Sequence, residues 1–141
     1  LAGAITTSVD LSNTYLNWAK DNFRLNKLQF SKHHFIKADC TKWLAVCEDR
    51  YDIIVLDPPS FSNSKSMDNV FDVQRDHVAL IHDAMSCLEK DGVLYFSTNL
   101  RSFKLEQALL DRYDVKDITK KTTSEDFKRR PLHRCFQITY R

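Results

Sequence analysis

The run Tyr51-Asp52-Ile53-Ile54-Val55-Leu56-Asp57-Pro58-Pro59 decides the reading of this chain. Four consecutive apolar residues, three of them β-branched, predict a strand buried on both faces, the habit of a parallel sheet. Pro58 and Pro59 stop it, because neither can donate to a ladder. An acid and two rigid residues at the carboxyl end of a buried strand stand where open α/β sheets place their ligands.

Working outward, the flanks alternate strand and helix. Upstream, residues 6–10 read as a strand. Ser12 supplies an N-cap for a helix through Tyr15, Leu16, Ala19 and Phe23 to about Asn26. A second strand covers residues 34–39, and Trp43 to Cys47 a short helix. Downstream come a polar loop over residues 60–69 and a helix over residues 73–88. Asp91-Gly92 forms a turn into a strand at residues 93–97. Then follow a helix over residues 103–112, a strand over 115–119, and a last strand over 135–140 that pairs antiparallel. This alternation predicts one α/β domain spanning residues 1–141, its sheet mostly parallel with helices as crossovers.

Composition bounds the function. The 141 residues are 43% hydrophobic, enough to bury one core, which excludes a disordered tail and a multidomain enzyme. Glycine occurs only at Gly3 and Gly92, where average usage of about 7% gives roughly ten. A P-loop or G-x-G-x-x-G loop needs several glycines together, so neither is present. Cys40, Cys47, Cys87 and Cys135 are widely spaced with no C-x-x-C pair. They read as reduced thiols of an intracellular, cytoplasmic protein, without a metal site. No apolar run reaches the length of a membrane span. The formal charge of +2 hides an asymmetry, with a net of −3 over residues 1–115 and +5 over residues 116–141. The basic end, from Lys120 to Arg141, is either a solvated edge or a contact for a polyanion.

Three acids end three strands: Asp10, Asp39 and Asp57. Each alone could be a helix cap or turn former; together they predict three carboxylates facing one cleft. Asp10, between a strand and a helix, is placed to accept both hydroxyls of a ribose, a device shared by several adenosine ligands. Asp39 is placed to accept from an exocyclic amine such as that of adenine. In Asp57-Pro58-Pro59-Ser60-Phe61, a carboxylate and rigid backbone carbonyls beside an aromatic ring suit the edge and face of a planar base.

Taken in order, Ser-Val-Asp10, Ala-Asp39-Cys and Asp57-Pro-Pro-Ser-Phe resemble the successive motifs of class I S-adenosylmethionine-dependent methyltransferases. The longer stretches Val9-Asp-Leu-Ser-Asn-Thr-Tyr-Leu-Asn-Trp-Ala-Lys, Asp57-Pro-Pro-Ser-Phe-Ser-Asn-Ser-Lys and Phe71-Asp-Val-Gln-Arg-Asp-His-Val resemble the 7-methylguanine-forming half of the bacterial bifunctional 23S rRNA guanine methyltransferases. The resemblance implies a Rossmann-like sheet and S-adenosylmethionine as cofactor. It implies that Asp10, with Leu11, holds the ribose and that Asp39, with Cys40, holds the adenine. Asp57, Pro58 and Pro59 would line the junction of donor and target, with Phe61 stacked on the base. Lys65, Arg75 and Arg101 are candidates for contacts to 23S rRNA.

The chemistry implied is in-line displacement at a sulfonium methyl. Guanine N7 already carries an in-plane lone pair, so no general base is required. Methylation of cytosine C5 needs a thiol just after the strand that follows Asp-Pro-Pro. That place reads Phe96-Ser97-Thr98-Asn99-Leu100-Arg101, without cysteine. The class begins with a strand and glycine-rich loop about 20 residues ahead of its ribose-binding acid, whereas Asp10 is the tenth residue. The expectation is therefore a partial domain that lacks its first strand, is inactive alone, and is prone to self-association through exposed sheet edges. Two alternatives remain: a non-catalytic RNA-binding module using the basic C-terminal segment, and an NAD-dependent oxidoreductase supported by Asp10 alone.

Overall fold

The computed structural model describes residues 3–63, 70–127 and 132–141. Its contacts group the chain into two compact units, Leu1–Val46 and Cys47–Arg141, each described by itself.

In the first unit, β1 (Thr6–Asp10) leads into α1 (Asn13–Leu25), and β2 (His33–Lys37) into α2 (Cys40–Val46). The Ser12 hydroxyl accepts the Tyr15 N–H at 3.4 Å, so the expected cap starts α1. Past the Asn26 cap of α1, Lys27 takes a left-handed φ of 55°, and the Leu28 N–H closes on the Phe23 carbonyl at 3.0 Å. This is the place where most chains use glycine; a chain with two glycines uses a lysine. β1 and β2 run parallel with Asp10 opposite Lys37. Phe23 of α1 stands edge-on to His33 and Phe35 at 4.7 and 5.1 Å between ring centroids. Leu16 and Leu44 are the buried side chains here, each 5% exposed.

The second unit carries the larger core. Its elements are β3 (Tyr51–Leu56), β4 (Phe61–Ser62), β5 (Phe71–Asp72), α3 (Val73–Ser86), β6 (Leu88–Thr98), α4 (Gln107–Arg112), β7 (Asp114–Asp117), α5 (Thr119–Thr122) and β8 (Arg134–Thr139). The main sheet has the order β3-β6-β8-β7. β3 and β6 are parallel, and β8 is antiparallel to both β6 and β7. Val73, Ile81, Ala84 and Met85 of α3 are fully buried, as are Leu94 and Phe96 of β6 and Ile138 of β8. Phe103 joins Phe96 and Phe136 at 5.5 and 6.0 Å.

Three sequence expectations are corrected. Asp91-Gly92 is not a turn into a strand but lies inside β6, which begins at Leu88 and shifts register opposite Tyr51–Ile53. A Cβ on Gly92 would stand 2.9 Å from the Asp52 carbonyl oxygen and 2.8 Å from Leu88 Cγ, so the glycine serves a close approach of two strands. The helix expected over 103–112 starts only at Gln107. β3 is covered on one face only: Leu56 is 7% exposed, but Ile53 and Val55 are 61% and 73% exposed. The apolar run fits a strand covered on both faces, and among the described residues β3 has a single ladder partner, β6.

Candidate functional site

Asp10 and Asp39 lie at the carboxyl ends of the parallel pair β1 and β2. The Ala38 N–H donates to the Asp10 carbonyl at 3.2 Å, carrying the ladder one step past Lys37. Asp10 Oδ1 accepts the Ser12 N–H at 2.7 Å. Asp39 Oδ1 accepts the Thr41 N–H at 3.0 Å and the Thr41 hydroxyl at 2.7 Å. In each acid one oxygen fixes the turn into the following helix, and the second oxygen remains an acceptor. Asp10 stands opposite Lys37, so Asp39 follows two residues beyond that register position at the same end of the parallel pair. Both acids are partly exposed, with Leu11 and Cys40 half-buried beside them.

In the second unit, Asp57 follows β3 and its side chain is exposed. Ser97, near the end of β6, donates its hydroxyl to Asp57 Oδ1 at 2.6 Å. The contact follows from register, since Leu56 and Phe96 are Cα partners and the next residue of each strand comes side by side. Pro58 and Pro59 lead to Phe61, whose ring is 58% exposed. The Phe61 strand is held by pairing with Asp72, and the Ser60 carbonyl accepts the Val73 N–H at 3.1 Å. The result is an acid, two stiff residues and an outward aromatic ring on a fixed backbone.

Of the three candidate RNA contacts, Arg101 is exposed beyond the end of β6. Arg75 bonds both carboxylate oxygens of Asp76 at 2.7 Å and also donates to the Val70 carbonyl; its guanidinium ties the chain around β5. Lys65 lies outside the described residues, as do Lys128, Arg129 and Arg130 of the basic end. Arg134 pairs with Asp117 at 2.9 Å and lies over the Phe136 ring.

Sequence reasoning missed four residues around this site. Ser97 stands in the sequence only as a position without a thiol, and its bond to Asp57 depends on a register that sequence does not reveal. Gln74 and His77 lie in the run Phe71-Asp-Val-Gln-Arg-Asp-His-Val, whose resemblance assigns them no role, and Lys104 lies in no motif; the three link α3 to the segment after β6. Burial pushes the Cys87 and Cys135 thiols above their ordinary range. No described helix is long and apolar enough to cross a membrane.

Parallel strands ending in acids, and an Asp-Pro-Pro-x-Phe segment after a further strand, are the features by which the chain resembles S-adenosylmethionine-dependent methyltransferases. Comparison with known proteins agrees. The Methyltransferase small domain family matches residues 2–128, and the chain belongs to that family. It is 60% identical over 139 residues to the ribosomal RNA large subunit methyltransferase K/L of Legionella pneumophila strain Lens, covering 98% of this chain and 20% of that protein. The protein of the same name from Cellvibrio japonicus is 52% identical over 136 residues, covering 96% of this chain and 18% of its own length. The chain thus spans about a fifth of these curated relatives. Among solved structures, a methyltransferase complexed with SAH superposes with a TM-score of 0.71 at 26% identity, covering 97% of this chain and 39% of the other. An Agrobacterium tumefaciens SAM-dependent methyltransferase shares the fold, with a TM-score of 0.71 at 20% identity over 99% of this chain and 49% of that one.

Proposed function

We propose that this chain is part of an enzyme that methylates N7 of a guanine in 23S rRNA, with S-adenosylmethionine as donor. The observation that carries the reading is Asp57, held by Ser97 at the carboxyl end of the β3–β6 pair and followed by Pro58, Pro59 and the exposed Phe61. The relatives named for rRNA large subunit methylation support the RNA substrate.

Bound S-adenosylmethionine supplies an electrophilic sulfonium methyl group. The chain's own residues bind and orient. The second oxygen of Asp10 would accept the ribose hydroxyls, with Leu11 against the sugar, and that of Asp39 would accept the adenine amine, with Cys40 beside it. Phe61 stacks on the guanine, and the Asp57-Pro58-Pro59 backbone fixes the ring's edge. The donor would give up its methyl group to the N7 lone pair, the electrons of the broken carbon–sulfur bond staying on sulfur. No proton moves at N7, so the rate comes from alignment and exclusion of water. The target base must be splayed from its RNA stack to enter.

The functional reading is tested by mass mapping of 23S rRNA from a strain deleted for the gene. Loss of one 7-methylguanine, restored by complementation, is the expected result; an unchanged methylation map overturns it. A second reading, a non-catalytic RNA-binding role through the basic C-terminal segment, would not use Arg134 freely, since Asp117 holds it at 2.9 Å.

A further inference from the structure

The run Phe71-Asp-Val-Gln-Arg-Asp-His77 finds no role in cofactor or base binding, yet nearly every residue of it is tied to something. Phe71 and Val73 are buried, at 5% and 0% exposure. Asp72 Oδ1 caps α3 by accepting the N–H groups of Gln74 and Arg75 at 2.9 and 3.2 Å. Two neighbouring residues then reach opposite ways. The Val73 N–H holds the Ser60 carbonyl, three residues after Asp57. The Gln74 side chain holds Lys104 at two points, donating from Nε2 to its carbonyl at 2.8 Å and accepting its N–H on Oε1 at 2.9 Å.

One turn further along α3, His77 is fully buried. Its Nδ1 lies 3.1 and 3.0 Å from the carbonyls of Val73 and Gln74, and its Nε2 accepts the Glu106 N–H at 3.2 Å. The ring also stands edge-on to Phe103 at 4.8 Å. Residues 103, 104 and 106 are therefore fixed by two side chains of one helix, although residues 103–106 form neither helix nor strand. Irregular segments are ordinarily the mobile parts of a fold; this one is pinned. It leaves the same end of the parallel pair as Asp57, and it presents Arg101 and Lys104 outward, both exposed. Among the described residues neither cation has a carboxylate partner.

We infer that Lys104 is an RNA phosphate contact next to the target base, with Gln74 and His77 as its positioning residues. The inference rests on the methyltransferase reading and adds to it the part of the substrate that this segment grips. A lysine is a compact point charge that suits a phosphate oxygen and reads no base edge. Val73 and Gln74 give Ser60 and Lys104 one shared support, so the base-holding segment and the phosphate contact keep a fixed separation.

The test uses the full-length gene product with a 23S rRNA fragment, measuring RNA affinity by filter binding apart from methyl transfer. Lys104→Ala is expected to weaken RNA binding roughly three- to tenfold and to lower the salt dependence by about one counterion. Gln74→Ala and Gln74→Glu should reproduce that loss with Lys104 intact, raising KM for RNA more than they lower kcat. Unchanged RNA affinity and salt slope in folded Lys104→Ala overturns the contact. A Gln74 variant that shifts only the melting temperature overturns the positioning role. Because binding is read separately, wild-type protein that binds RNA but transfers no methyl group counts against the enzymatic reading and leaves these outcomes decisive for the contact.

Discussion

Ser97 donates its hydroxyl to Asp57 Oδ1 at 2.6 Å, joining the ends of two parallel strands whose loops carry the candidate chemistry. The bond fixes one carboxylate oxygen and leaves the other available. Ser97→Ala frees the Asp57 side chain to rotate, so kcat should fall roughly ten- to a hundredfold, the upper figure being the cost of about a 1 Å misplacement. Ser97→Thr, which keeps the hydroxyl, should retain most of the rate. Steady-state methyl transfer by the two variants checks this; equal rates in both would remove Ser97 from the account.

Asp10 and Asp39 each keep one oxygen beyond the turn bonds they make to Ser12 and Thr41. A hydrogen bond to a charged group contributes about 1.5–3 kcal/mol. Asp10→Ala and Asp39→Ala should therefore each raise the dissociation constant for S-adenosylmethionine about ten- to a hundredfold. Calorimetric titration of the full-length variants reads this directly.

The chain's use of glycine makes a paired prediction about stability. Gly92→Ala places a methyl group 2.9 Å from the Asp52 carbonyl oxygen and should cost about 1–3 kcal/mol. Lys27→Gly relieves a left-handed residue at φ 55° and should stabilise by about 0.5–1 kcal/mol, the strain relieved less the entropy glycine adds to the unfolded chain. Urea denaturation of both variants should give shifts of opposite sign.

The Arg75 hydrogen bond holds the Asp76 carboxyl below its ordinary value of 3.8; burial opposes this, and the Asp72 N–H assists it. A carboxyl whose folded value is depressed stabilises fully above the unfolded value and loses that stabilisation as pH falls through the folded one. The urea midpoint of wild type should thus exceed that of Asp76→Asn near pH 6, and the gap should close as pH falls below 3.8. A gap that persists unchanged at low pH contradicts the ion pair.

The signals in the sequence that point to the candidate site are local. Asp10, Asp39 and Asp57 each follow a β-rich run, and Pro58-Pro59 ends a strand whatever surrounds it. Contacts set by register were not legible: Ser97 meets Asp57 only because Leu56 pairs with Phe96. Asp91-Gly92 has turn chemistry, yet tertiary pairing draws it into β6. Phe103 has helical spacing to later apolar residues, but bonds from Gln74 and His77 hold residues 103–106 out of the helix. Ile53 and Val55 show a further limit, since an apolar run identifies a strand without saying how many of its faces are covered.

The central claim is that the Asp57-Pro58-Pro59 end of β3 is where methyl transfer occurs. It is tested most directly by Asp57→Ala in the full-length protein, with methyl transfer to 23S rRNA and RNA affinity measured side by side. The account predicts that formation of 7-methylguanine falls by at least about a hundredfold while RNA affinity changes less than about threefold, since phosphate contacts carry most of it. Methylation at the wild-type rate in a folded Asp57→Ala protein would contradict it.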